Sequence, residues 1–114
     1  MFMPDPNAKI WLYTQPTDMR KSYTGLLGLI KQQIKESPLI GYFVFINRRK
    51  TQMKILYFET SGYCIWCKRL SQGQFNYAPS KNGKHALSTM ELQHLLAGIK
   101  VEKYRQFKRY KRAS

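Results

Sequence analysis

The sequence predicts an α+β fold: an antiparallel β-sheet of three to five strands with one longer and one short helix packed on it, followed by a basic C-terminal tail. Three observations predict it. Apolar residues at Met19, Tyr23, Leu26, Leu27, Ile30 and Ile34 recur with helical spacing, and three runs rich in β-branched and aromatic residues follow. Ser88 and Glu91 then have the spacing of a capping box ahead of Leu92, Leu95 and Leu96. With 114 residues, 43% hydrophobic and 14% aromatic, the chain has material for one core. The expected division is a single domain over 1–99 and a tail over 100–114.

Taken in order, Met1 to Asn7 holds two prolines and is expected to lie loose before a short strand, Ile10 to Tyr13. Asp18, after Pro16 and Thr17, is the expected N-cap of the longer helix, which Ser37 and Pro38 close. Tyr42 to Ile46, Met53 to Phe58 and Tyr63 to Leu70 read as three antiparallel strands. Asn47 to Gln52 is the first hairpin turn; Glu59 to Gly62 is the second, with glycine available for a positive φ. Gln74 to Tyr77 reads as a fourth short strand and Ala78 to Lys84 as a loop. The second helix runs from Ser88 to Ala97 and stops at Gly98.

Charge speaks to partners. Twenty lysines and arginines against six acidic residues give a net charge of +14, which calls for a polyanion, most commonly nucleic acid. A soluble basic protein is the bland alternative. No run of about 18 apolar residues is present, nor an apolar leader behind a basic N-terminus, so neither membrane spanning nor secretion is expected. Two cysteines without such a leader point to a reducing cytoplasm.

On a helical wheel Arg20, Lys21, Lys31 and Lys35 fall within an arc of roughly 100°. Arg20 and Lys21 would occupy the first turn, where the helix dipole disfavours cations and a phosphate would offset that. Arg48, Arg49 and Lys50 at the first hairpin tip form a charged prong, and a β-ribbon fits the DNA major groove. In the tail, Lys103, Arg105, Lys108, Arg109, Lys111 and Arg112 interleave with Tyr104, Phe107 and Tyr110, a pattern suited to stacking on bases or binding any polyanion. Each set has a bland counterpart: a solvated helix flank, charges that deter strand pairing, an unstructured extension.

Cys64 and Cys67 form C-I-W-C inside a strand pattern, where residues three apart face opposite sides, so they read as small core residues rather than joint ligands. His85 and His94, nine apart, do not match zinc spacing, and the six carboxylates are poor material for a two-metal site. No metal or cofactor is therefore expected. A metal-independent ribonuclease using His85 or His94 as general acid or base stays open as an alternative.

Several segments taken together resemble a known family: Thr17-Asp18-Met19-Arg20-Lys21-Ser22, Phe43-Val44-Phe45 followed by Asn47-Arg48-Arg49, Lys54-Ile55-Leu56-Tyr57, and Trp66-Cys67-Lys68-Arg69-Leu70. From about Ile10 to Ile99 the chain resembles the TnpB accessory proteins of the insertion-sequence sixty-six family, which are distinct from the guide-RNA nuclease of the same name. The resemblance implies a small bacterial protein encoded beside a separate transposase, needed for efficient transposition and without an established catalytic role. The matching basic positions are Arg20, Lys21, Arg48, Arg49, Lys54, Lys68 and Arg69. Cys67 departs from the aromatic residue of the pattern.

The expectation is a non-enzymatic, DNA-binding accessory protein of transposition that assists the transposase of its element, with no membrane partner and an open oligomeric state. A protein-interaction module that docks on the transposase without binding DNA is the alternative from another class.

Overall fold

The computed structural model describes residues 2–98. Its elements are β1 (Ile10–Tyr13), α1 (Tyr23–Leu29), a π-helical turn (Ile30–Ile34), β2 (Tyr42–Ile46), β3 (Gln52–Glu59), β4 (Gly62–Arg69), β5 (Lys84–Leu87) and α2 (Thr89–Ala97). The sheet order is β4-β3-β2-β1-β5.

The α+β class and the meander β2-β3-β4 agree with the sequence reading. The sheet itself is mixed and not purely antiparallel: β1 pairs parallel to β2, Ile10 opposite Tyr42 and Leu12 opposite Val44. A helical crossover returns the chain to the end of the sheet from which it started, so the strands it joins run the same way. The remaining pairings, β2 with β3, β3 with β4 and β1 with β5, are antiparallel.

The fifth strand is also displaced from expectation. Gln74 makes only an isolated bridge, and Phe75 is buried as a wedge behind the first hairpin. The chain turns at Ser80–Gly83, where the Thr14 amide donates to the Gly83 carbonyl at 2.9 Å, and then forms β5 at the edge beside β1. In the second hairpin the left-handed residue is Thr60, φ 60, while Gly62 already belongs to β4.

Both faces of the sheet are covered. Leu26, Ile30 and Ile34 pack on Tyr13, Phe43, Phe45 and Leu56 on one face. Leu92, Leu95 and Leu96 pack with Phe2 and Phe75 on Ile10, Leu12, Val44, Ile46, Met53 and Ile55 on the other. The central strand β2 is therefore an unbroken apolar run, Phe43 to Ile46, as a strand buried on both sides requires. The start of the chain is not loose: Phe2 is buried, its ring 5.1 Å from Trp66 and 5.5 Å from Tyr42.

The first helix begins later than the sequence predicts, at Tyr23 after Ser22. Asp18 instead accepts from the Arg20 amide at 2.9 Å, forming a tight turn whose Lys21 amide donates to the Asp18 carbonyl at 3.1 Å. At the other end the helix widens: the Lys35 amide reaches the Ile30 carbonyl at 2.7 Å, and Lys35 leaves with φ 60. The second helix follows its sequence signature. Ser88 Oγ accepts from the Glu91 amide at 3.0 Å, Glu91 accepts from the Ser88 amide at 2.9 Å, and Gly98 ends the helix with φ 72.

Candidate nucleic-acid interface

The tip of the β2–β3 hairpin is built by Asn47. Its Oδ1 accepts from the Thr51 and Gln52 amides at 2.9 and 3.0 Å, and its Nδ2 donates to Thr51 Oγ1 at 3.3 Å. The Lys50 amide closes the turn on the Asn47 carbonyl at 3.0 Å, with Lys50 in the left-handed region, φ 60. From behind, Phe75 N–H donates to the Lys50 carbonyl at 2.7 Å, Gln74 Nε2 to the Arg49 carbonyl at 2.9 Å, and Leu70 N–H to the Thr51 carbonyl at 2.8 Å. The backbone is thereby fixed, while the side chains of Arg48 and Arg49 stand exposed. Neither has an acidic partner among the described residues.

The turn that precedes α1 lies against this tip. The Thr17 amide donates to the Ile46 carbonyl at 2.9 Å, and together the two segments line an open groove of about 960 Å³: Pro16 to Arg20 on one wall, Asn47 to Arg49 and Gln52 on the other. Three arginines, Arg20, Arg48 and Arg49, thus meet across one groove that contains, among the described residues, a single carboxylate, Asp18.

Asp18 is engaged. Arg20 Nε donates to both of its oxygens at 3.1 Å and Nη2 donates to Oδ2 at 2.7 Å, although the Arg20 side chain is 92% exposed. These hydrogen bonds hold the Asp18 carboxyl down at about 2. A depressed carboxyl keeps its contribution above the ordinary carboxylate range and loses it only as pH falls toward the lowered value, so the fork is closed at neutral pH.

Thr17, at the floor, is only 3% exposed, and its Oγ1 has no hydrogen-bond partner among the described residues. Replacing it with the isosteric valine removes an unpaid desolvation cost. Thr17→Val is expected to raise stability by about 1 kcal/mol, read as a higher urea midpoint at unchanged slope.

The alternation of β3 and β4 sorts the other basic residues. Gln52 pairs with Arg69 and Lys54 with Cys67, on the face that α1 covers. Lys54 Nζ donates to the Lys21 carbonyl at 2.7 Å, which ties β3 to the start of α1, and Arg69 is exposed. Arg20, Lys21, Arg48, Arg49, Lys54 and Arg69 thus belong to one region. Lys68 points to the opposite face and donates to the Leu96 carbonyl at 2.8 Å, at a helix C-terminus where a cation is favoured. Lys50 is half-buried, its Nζ 4.7 Å from the centre of the Tyr77 ring.

Arg20 and Lys21 precede the helix and do not share its wheel with Lys31 and Lys35, which sit at its far end near Lys84 and its bond to the Ile34 carbonyl. Lys103, Arg105, Lys108, Arg109, Lys111 and Arg112 lie outside the described residues. Sequence reasoning missed Asn47, Gln52 and the partnership of Asp18 with Arg20. The available signal was an aspartate two residues before an arginine, which suits a side-chain turn as well as a helix cap.

Elsewhere, Cys64 and Cys67 face opposite sides of the sheet, but neither is a core residue: Cys64 is half-buried, 4.0 Å from a Glu59 oxygen, and Cys67 is exposed. His85 and His94 line a separate cleft of about 550 Å³ with Tyr77 and Leu95, and His85 Nε2 lies 3.0 Å from the Ala78 carbonyl. Glu91, in the same cleft, is committed to the cap of α2. Among the described residues no three histidines, cysteines or carboxylates are placed to hold a metal ion.

Residues 8–106 match the family described as IS66 Orf2 like protein. The chain belongs to this family. The IS66 Orf2-like match runs past Ile99, further than the sequence resemblance reached, into the basic segment. Among relatives of this family member, uncharacterized protein y4hO of Sinorhizobium fredii is 34% identical over 94 residues, 82% of each chain. Uncharacterized protein y4jC of the same organism is 32% identical over 100 residues, 87% of this chain and 86% of its own. No solved structure matches the chain.

Proposed function

We propose that this IS66 Orf2-like protein is a non-catalytic accessory factor of transposition, acting in the cytoplasm beside the transposase of its element and binding DNA through phosphate contacts. The observation that carries the reading is the groove where Arg20, Arg48 and Arg49 converge on a backbone pinned by Asn47. Arginine at a rigid tip pairs with phosphate or base edges through a planar fork. The proposed role calls for no cofactor. Among the described residues no helix is long and apolar enough to cross a membrane.

The test is a salt-titrated binding assay comparing a duplex of the element's terminal repeat with a scrambled duplex. The reading requires log affinity to fall linearly and steeply with log salt. A shallow dependence on both duplexes sinks it.

One observation favours a second reading, docking on the transposase. Met3 and Met90, 73% and 70% exposed, line an apolar cleft between the first residues and α2, on the sheet face opposite α1. Transposase that co-purifies from nuclease-treated lysate, with no duplex binding by the isolated protein, selects that reading. The ribonuclease alternative lacks such support, because among the described residues the cleft holding His85 and His94 is lined by no lysine or arginine to bind a phosphate.

A further inference from the structure

We propose that Arg20, presented by Asp18, reads guanine in the major groove of duplex DNA, while Arg48 and Arg49 hold the adjacent phosphates. The inference rests on the DNA-binding reading above and goes beyond it by assigning base recognition to one side chain.

The three arginines of the groove are not equivalent. Arg48 and Arg49 carry no partner among the described residues and keep their rotamer freedom, which suits them to the backbone of a duplex. Arg20 is held. The Asp18 carboxylate takes the N–H of Nε and one N–H of Nη2, and the same carboxylate is locked by the Arg20 amide at 2.9 Å.

Of the five guanidinium N–H groups, both on Nη1 and one on Nη2 have no partner among the described residues, at the outward end of a side chain that is 92% exposed. That end presents two parallel donors. A guanine edge in the major groove offers two acceptors, O6 and N7, at the matching separation; adenine puts a donor where O6 would be. Freezing the fork before binding also removes part of the rotamer entropy that a free arginine loses on docking.

The location agrees. Arg20 shares its groove with the turn between β2 and β3, whose own arginines, Arg48 and Arg49, stand exposed beside it. Asp18 has a second consequence: a carboxylate in the groove repels phosphate. This penalises a register in which the DNA backbone lies where the base edge belongs.

The experiment measures binding of the full chain, by fluorescence anisotropy, to a short G·C-rich duplex and to the same duplex carrying 7-deazaguanine, which keeps Watson–Crick pairing and loses the N7 acceptor. The native protein is expected to bind the deaza duplex roughly tenfold more weakly. Arg20→Ala removes every donor at this position, so it should bind both duplexes equally. Asp18→Asn removes the negative charge and loosens the fork, so it should bind both duplexes more tightly while the difference between them narrows. A merely structural Asp18 would weaken binding to both.

Equal affinity of the native protein for the two duplexes, with a steep salt slope retained, overturns the guanine assignment and leaves the DNA-binding reading standing. A preference that survives in Arg20→Ala moves base reading to another residue and equally overturns it. Absence of binding to either duplex removes both readings together.

Discussion

Gly41→Ala is expected to destabilise the fold by about 3 kcal/mol, a fall in melting temperature on the order of 15 °C. Gly41 has φ +93, and a Cβ built there would lie 2.5 Å from the Lys9 carbonyl oxygen. That oxygen accepts the Tyr42 amide at 2.8 Å, next to the first rung of the parallel pair, Ile10 opposite Tyr42. The obstructing atom is backbone, so no rotamer change relieves it; the chain must shift and the rung is lost. Gly28 supplies the contrast. It lies inside α1, and a Cβ there meets nothing among the described residues within 4 Å, so Gly28→Ala should stabilise by about 0.5–1 kcal/mol through helix propensity alone. Thermal unfolding of both variants decides it: a Gly41→Ala melt within a degree or two of native removes the argument that this glycine is sterically required.

What the sequence disclosed and what it concealed divide along the range of the interactions. The capping box of α2, the run of β2 and the two hairpins rest on contacts a few residues apart, so spacing alone declares them. The parallel partner of β1 and the edge position of β5 depend on where a crossover returns the chain, which no local pattern records. The start of α1 was ambiguous for a nearer reason. Asp18 and Ser22 are both good capping residues, and the Arg20 guanidinium draws the aspartate into a turn of its own.

The same distinction governs the basic residues. Lysine in a sequence is a charge; in the fold Lys68 is a ligand of the α2 terminus, Lys54 a tie to the Lys21 carbonyl, Lys84 a tie to the end of the π-helical turn and Glu36, and Lys50 a neighbour of Tyr77. Their long stems reach main-chain oxygens and rings far away in sequence. Among the described residues the arginines of the hairpin tip have no such obligations, and the groove is legible only once Ile46 and Thr17 are brought together.

Those free arginines carry the largest expected effect on binding. Six basic side chains belong to the region of the groove: Arg20, Lys21, Arg48, Arg49, Lys54 and Arg69. With Arg20 on a base edge, the other five each neutralise a phosphate, the slope of log affinity against log salt is about −4.5, and affinity falls about 500-fold between 50 and 200 mM salt. Changing Arg48 and Arg49 together to alanine should flatten the slope by about 2 units and reduce that fall to about 40-fold. The two curves should converge toward 1 M salt, where counterion release vanishes. Loss of the fold is not at issue, because Asn47, Gln74 and Phe75 hold the tip through main-chain atoms that the substitutions leave alone. The paired control is Lys31→Ala with Lys35→Ala, which removes the same charge from exposed positions at the far end of α1. A convergent footprint requires the control to keep nearly the native slope. Equal flattening in both double variants would mean that DNA responds to the net charge of the molecule and that the groove has no special part in binding.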